Sequence, residues 1–542
     1  MMRKFVLGLD FGTGSVRALI VDPADGNCIA EAVVDYPRWK QGRYCNAAEK
    51  RFRQHPYDYL ESLENVIKQV VPDCPGEIVA LALDTTASTP CLVDRNFTPL
   101  CLTEEFKDDP DAMFVMWKDH TSTVEAKEIT ELNAKSAINY CRNTGGDYST
   151  ENFWSKFLHI FRTHPRIADA AWAAVECCDW IPAQLTGKRS LDEIKAGHCV
   201  CDLKHMHDMR WGGYPSKEFL DKLDPHFSTF ASHLPQEHYL CDTVAGNLTQ
   251  EWADKLGLKA GIPVGVGNID SYSGAVGGGV AYGRVVLNLG TSSCYMAVAP
   301  KEVFGDKLID GIFGQVDDSI LPGYVGFEAG LSAFGDCFAW FNGLMHWPLE
   351  TFAEEIGEEK VKALKKRLFA ALYDAAAAVP LTDDLPMATD YLNGRRNPWP
   401  DAFKTGTING LRLSTSTPEL FRAYIEAVVF ASKAVIDHYR AGGIKIDSLM
   451  GIGGISLRSP FVMQMLSDVF NMDLEASNDT NSCAIGSAIH AAVIAGIYPT
   501  VEEAQDKMAL KVTKIYHPTT DQRDIIDRRY ARYCEMGGIP NE

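Results

Sequence analysis

What this chain lacks narrows its chemistry before any motif is read. It has no surplus of positive charge: 52 Lys and Arg stand against 72 Asp and Glu, a formal net charge of −20. Nothing at long range would draw it to nucleic acid or to an anionic membrane. A nucleotide ligand would therefore have to be gripped by local amides, a cation and a few basic side chains. No uninterrupted apolar run is long enough to span a bilayer, and Asp10 cuts the N-terminal apolar stretch far short of a signal-peptide core. The fifteen cysteines are an odd number. Cys177-Cys178 and Cys199-Val200-Cys201 lack matching Cys-x-x-Cys or His partner spacing, so reduced, mostly buried thiols in a cytoplasmic protein are expected. Also missing are the Gly-Lys-Ser/Thr of a Walker loop and the third glycine of a dinucleotide fingerprint, whose place Arg17 takes.

What is present is ordinary soluble-protein composition, 46% hydrophobic and 23% charged. A length of 542 residues suits two large domains or three or four average ones. The opening stretch, Phe5 to Asp22, sets two apolar runs around Asp10-Phe11-Gly12-Thr13-Gly14-Ser15. Strand, Gly-rich turn and strand read as a hairpin. Glycines let backbone N–H groups close on an anion, with the Thr13 and Ser15 hydroxyls as further donors. Asp10, ending the first strand, is placed to hold a metal-bound water beside that anion. Taken alone, the hexapeptide suits an ordinary surface hairpin equally well.

Further along, Pro56 opens a helix burying Leu60, Leu63, Ile67 and Val70, and Ile78 to Leu83 is a short buried strand running into the polar turn Asp84 to Pro90 and then Cys91-Leu92-Val93. A mainly helical region extends from about Thr123 to Leu220. Ile262 to Val266 reads as a strand leading to Asp270, and Gly274 to Gly279 reads as a glycine-rich hinge. Then Val285 to Val298 repeats the opening device: Gly290 aligns with Gly12, Thr291 with Thr13, Ser293 with Ser15 and Asn288 with Asp10. A repeat half a chain later predicts two related domains, each lending a phosphate-gripping turn to a shared cleft, with chance recurrence as the alternative. Only the first copy has the carboxylate. A strand ending at Ile452 meets Gly453-Gly454, followed by a helix from Pro460 with Ser459 as N-cap, a turn suited to a flat or anionic ligand or to a plain strand-to-helix connection.

The opening LDFGTGS, the strand leading to Asp270, the LGTSS repeat and the GIGGIS turn together resemble the FGGY carbohydrate kinase family over essentially the whole chain. The segments Tyr36–Trp39, Met113–Thr121, Cys178–Ala183, Trp211–Pro215, Glu328–Gly335 and Asn393–Arg396 sharpen the likeness to a ketopentose branch of that family. His120 stands where many of its sugar kinases have arginine, and that branch shares the histidine. The resemblance implies an α/β fold of two ribonuclease-H-like, actin-like ATPase domains, residues 1–276 and 277–542, around a catalytic cleft. It implies phosphorylation of L-ribulose at the 5-hydroxyl by ATP with Mg²⁺, in L-arabinose catabolism. D-ribulose or D-xylulose is the alternative substrate, and an actin- or Hsp70-like ATPase without a sugar is the remoter one.

On this resemblance Asp270 is the expected base, with a plain helix cap as the competing reading. Asp10 is the expected Mg²⁺ partner, through water. Gly12, Thr13, Gly14 and Ser15 would face the γ-phosphate, Gly290 and Thr291 the β/γ region, and Gly453 and Gly454 the adenosine. Lys204 and Glu328 would touch the sugar, Ala87 would line its pocket through the backbone, and Trp117 would pack on its apolar face; a surface lysine, a surface glutamate and a core tryptophan are the plain alternatives. Nothing in the sequence separates monomer from homodimer.

Overall fold

The computed structural model describes residues 3–401, 403–519 and 521–540. Two seven-stranded mixed sheets organise it. The first is built from β1 (Lys4–Phe11), β2 (Ser15–Val21), β3 (Cys28–Asp35), β4 (Glu77–Thr85), β5 (Val244–Asn247), β6 (Pro263–Gly265) and β7 (Asn268–Ile269). The second is built from β8 (Gly283–Leu289), β9 (Ser293–Pro300), β10 (Gln315–Asp317), β11 (Tyr324–Leu331), β12 (Ile446–Ile452), β13 (Leu474–Ala476) and β14 (Lys514–Tyr516).

The two sheets have one plan. In the first, β3, β2 and β1 are antiparallel neighbours, β4 runs parallel to β1, β6 parallel to β4, and β5 antiparallel to β6. In the second, β11, β9, β8, β12, β13 and β14 repeat that order and those directions. The recurrence read in the sequence is thus a repeat of a whole sheet.

Strand alternation decides which residues reach the middle of the molecule. In β1, Phe5, Leu7, Leu9 and Phe11 enter the outer core of the first half, against the helix α1 (Pro56–Val70), while Val6 enters a central core shared by both halves. Asp10 has the parity of Val6 and therefore belongs to the central face. In β8, Val285, Leu287 and Leu289 join the outer core of the second half and Val286 the central one, which gives Asn288 the same placement.

Three helices matter for the site: α2 (His198–Lys204), α3 (Asp270–Gly277) and α5 (Ser482–Ile494), with α4 (Pro460–Phe470) flanking the second sheet. The small residues of α5 let it lie on the first sheet although it comes from the second half. A Cβ at Gly8 would sit 2.0 Å from the Ala484 carbonyl oxygen, and one at Gly486 only 1.8 Å from that of Ser273. The glycines read as a flexible run prove to be helical at Gly274 and Gly277, where α3 meets α5. A Cβ at Gly277 would lie 1.9 Å from the Ser482 carbonyl oxygen. Composition alone does not separate glycine used for close approach from glycine used for freedom.

Three local readings need correction. Pro90–Val93 pairs with Ala173–Glu176 and not with the strand that precedes it. Ser459 precedes α4 as expected, but its hydroxyl makes no cap, and a short helix, Gly454–Arg458, intervenes between the Gly-Gly turn and α4. Leu60 of α1 is half-buried, with Val66 taking the deeper place. All fifteen cysteines are free thiols.

Candidate active site

Four parallel-paired strands bring their C-terminal ends to the space between the sheets. Asp10 of β1 is in register with Asp84 of β4, and Asn288 of β8 with Ile452 of β12. The turn after β1 is tied down from outside: Gln54 Nε2 donates to the Thr13 carbonyl at 2.7 Å, Tyr36 N–H to that of Gly14 at 3.0 Å, and the Trp117 indole to Thr13 Oγ1 at 3.0 Å. Trp117, read as a sugar platform, is seen to brace the turn after β1. The turn after β8 is held by the Phe334 and Asp336 amides, which donate to the Thr291 carbonyl at 2.9 and 3.1 Å. Gly453 has φ +92°, and a Cβ there would meet the Leu289 carbonyl at 2.8 Å and Asn288 Oδ1 at 2.9 Å, so only glycine fits. Gly454 faces open space.

Three aspartates gather on the first-half side. Residue 268 of β7 pairs with Asp84, so β1, β4 and β7 lie side by side and Asp270 follows directly as the first residue of α3. Its carboxylate accepts the Ser271 amide at 2.6 Å, but the cap position of α3 is Ile269 and no side chain caps it, so the plain-cap reading of Asp270 does not hold. Burial, followed by the nearby charge of Asp10, pushes Asp270 up to about 7. Asp84 is fully buried and burial, then Asp10, raises it well above the usual carboxylate range; Ser487 Oγ of α5 donates to its Oδ2 at 2.6 Å. Asp10 is raised by burial and restrained by Arg17. Burial thus works against charge on both carboxylates of this close pair, more strongly on Asp84.

The other side carries a mixed-charge pocket. Glu328, mid-strand in β11, accepts Arg396 Nη2 at 2.9 Å, and Cys294 Sγ lies 3.7 Å from both side chains. Lys204, the last residue of α2, places its ammonium 4.4 Å from the centre of the Phe313 ring, and the Arg396 guanidinium lies 4.9 Å from it. Lys204, Glu328 and Asp10 all act on Asp270, which stands among them. Lys156 donates to the carbonyls of Ser88, Val115 and Met116, fixing the segment beside Ala87; burial pulls it down to about 7. Ala87 itself is half-buried against the central core.

Asp84, Arg396, Glu151 and Lys156 were not singled out as site residues by sequence. Asp84 left a signal: Leu81-Ala-Leu-Asp84 echoes Leu7-Gly-Leu-Asp10. Arg396 lies in the Asn393–Arg396 segment and pairs with Glu328. Glu151 and Lys156 carry no local pattern and meet the pocket only through the tertiary fold; burial raises Glu151, but Arg396 and Lys204 outweigh it and hold it below its ordinary value.

The sequence matches the N-terminal domain of the FGGY family of carbohydrate kinases over residues 5–277 and its C-terminal domain over residues 285–495. It is 39% identical to a ribulokinase of Vibrio parahaemolyticus, over 99% of this chain and 96% of that protein. A ribulokinase of Bacillus licheniformis is 33% identical, over 96% of this chain and 94% of its own. Among solved structures, xylulose kinase from Rhodospirillum rubrum superposes with a TM-score of 0.78 at 20% identity, covering 98% of both chains. Plasmodium falciparum glycerol kinase with ADP gives 0.75 at 16%, covering 100% of this chain and 99% of that one. These likenesses carry the fold, a pair of actin-like ATPase lobes. With both domains matched and near-full-length relatives above 30% identity, the chain belongs to the FGGY family of carbohydrate kinases.

Proposed function

We propose that this kinase transfers the γ-phosphoryl group of ATP to the 5-hydroxyl of L-ribulose, the step that would commit L-arabinose to catabolism. One relationship carries the reading: Asp270, at the start of α3 beside the strand ends of Asp10 and Asp84, feels the charges of Asp10, Glu328 and Lys204. The printed names of the relatives supply the pentose.

Phosphoryl transfer has a loose transition state, so the protein mainly positions groups and stabilises charge. Holding sugar and ATP in one oriented complex can contribute roughly 7–11 kcal/mol. Asp270 accepts the proton of the attacking hydroxyl, a contribution of about 10²–10⁴-fold. Gly12, Thr13, Gly14 and Ser15 face the γ-phosphate, Gly290 and Thr291 the β/γ region, and the Gly453-Gly454 turn the adenosine. Lys204 and Glu328 hold sugar hydroxyl or carbonyl oxygens, with Arg396 orienting Glu328, Ala87 lining the pocket and Trp117 closing it.

The donor set suits Mg²⁺, a hard cation that takes oxygen ligands and keeps its waters. Asp10 offers a carboxylate, and the neighbouring Asp84 Oδ1 is buried without a hydrogen-bond partner. Asp10 would hold the ion through water with Asp84 behind it, and the ion would offset charge on the β- and γ-phosphates. Residues 1–276 and 277–542 act as the two domains, and their closure about the α3–α5 contact keeps water from the phosphoryl group.

ADP formation with L-ribulose, D-ribulose, D-xylulose or no sugar tests the assignment, with phosphorus NMR locating the new ester. L-Ribulose is expected to give the highest kcat/KM and a 5-phosphate. Preference for another ketopentose would make the enzyme a different pentulokinase, and sugar-independent turnover would favour a plain ATPase.

A further inference from the structure

Away from the cleft, Asp202 of α2 is ringed by imidazoles. Its Oδ1 lies 2.8 Å from His207 Nδ1 and 3.3 Å from His238 Nδ1, and its Oδ2 lies 3.6 Å from His198 Nδ1. The His207 and His238 ring centres are 4.0 Å apart. Asp202, His207 and the His238 side chain are all buried.

The far nitrogens decide what these rings present to the carboxylate. His198 Nε2 meets the Asp317 carbonyl oxygen at 2.7 Å, and His238 Nε2 meets that of Pro235 at 3.1 Å. Carbonyl oxygens only accept, so both Nε2 atoms carry the proton. A neutral ring with its proton on Nε2 keeps the Nδ1 lone pair for a metal ion. Such nitrogens beside the Asp202 carboxylate make a donor set that a metal ion can take.

We propose that Asp202, His207 and His238 form a binding site for one divalent transition-metal ion of the Zn²⁺ class, separate from the nucleotide's cation. One ligand atom from each of the three lies within 4.8 Å of the others. Tetrahedral Zn²⁺ with bonds of about 2.0–2.2 Å sets its ligand atoms roughly 3.3 Å apart, close to the 2.8 and 3.3 Å found around Asp202 Oδ1. Two imidazole nitrogens suit Zn²⁺ and disfavour Mg²⁺, which prefers oxygen. The Pro235 carbonyl already provides His238 with the outer partner that metal-bound histidines commonly have. A water completes the fourth position. The ion joins the end of α2 and the segment after it to His238, whose strand pairs with Ala196–Gly197 just ahead of α2. It would brace the helix that ends at Lys204.

The test uses the full chain, stripped with a chelator and desalted, and reads metal rather than catalysis, so it stands whether or not the sugar assignment does. After equilibration with Zn²⁺ and a second desalting, one ion per chain is expected, with a raised Tm. X-ray absorption at the zinc edge should give a nitrogen and oxygen shell without sulfur. Asp202→Asn and His238→Gln should each weaken retention by at least about tenfold, while His226→Gln, at an exposed histidine beside Asp224, should leave it unchanged. No retained zinc, a sulfur shell from one of the thiols, or equal retention in His238→Gln would overturn the site and leave a hydrogen-bonded cluster. The absorption measurement on the unaltered chain decides even where a variant fails to fold.

Discussion

Asn288 occupies in the second sheet the place that Asp10 occupies in the first. Each is the penultimate residue of its strand, each follows a residue of the outer core, and each precedes a glycine turn by two residues. The partners differ: Asp10 is in register with Asp84, Asn288 with Ile452. A duplicated scaffold thus carries the Asp10–Asp84 carboxylate pair on one side only, and the proposed function assigns the cation to that half.

That asymmetry is testable by exchange. Asp10→Asn should raise the Mg²⁺ concentration for half-maximal rate and lower kcat by about 10²-fold or more, about 2.7 kcal/mol at 1.36 kcal/mol per decade. Asn288→Asp places a second anion beside the phosphates and should raise the KM for ATP with little change in that for the sugar. Steady-state rates across a Mg²⁺ series check both.

With Asp270 as the proposed base, its carboxyl, pushed up to about 7 by burial, should set the acid limb of activity. A base must be ionised, so kcat/KM for the pentose should climb as pH rises through about 7 and level off above. Lys204 is one of the charges that favour the carboxylate. Lys204→Met should therefore move the limb to higher pH as well as raise the sugar KM. A limb that does not move would separate Lys204 from the base.

Arg396 and Glu328 form a largely buried pair on Phe313. Removing one partner of such a pair typically costs about 3–5 kcal/mol because the other charge is stranded. Arg396→Ala should lower Tm and raise the pentose KM at least tenfold while leaving the ATP KM near its original value. Thermal melts and two-substrate kinetics read this directly.

The α3–α5 contact depends on missing side chains. Gly486→Ala would drive a methyl group onto the Ser273 carbonyl, 1.8 Å away, and overpacking of this kind costs about 1–3 kcal/mol or more. Denaturant titration should show the loss. Gly454→Ala, which meets nothing within 4 Å, should leave stability unchanged and affect only nucleotide binding.

Much of this architecture was legible in the chain because period-2 patterns and strand-end turns are local. The Phe5–Asp22 hairpin, the repeat at Asn288 and the strand leading to Asp270 all follow from short-range order. Asp84 was legible too, through Leu81-Ala-Leu-Asp84, and was passed over because its turn holds threonines in place of glycines. Lys156, Glu151 and the Asp202 histidines were not, since their partners lie on other elements and no spacing links them. The helical state of Gly274 and Gly277 depends on α5, two hundred residues away in order of magnitude, which no local pattern of glycines encodes.

The most direct measurement pairs calorimetric binding of L-ribulose with steady-state turnover in Asp270→Asn. Proton acceptance by Asp270 predicts a dissociation constant close to that of the unaltered enzyme and a kcat lower by about 10²–10⁴-fold. A variant that binds the sugar and still turns over at near the original rate would contradict it.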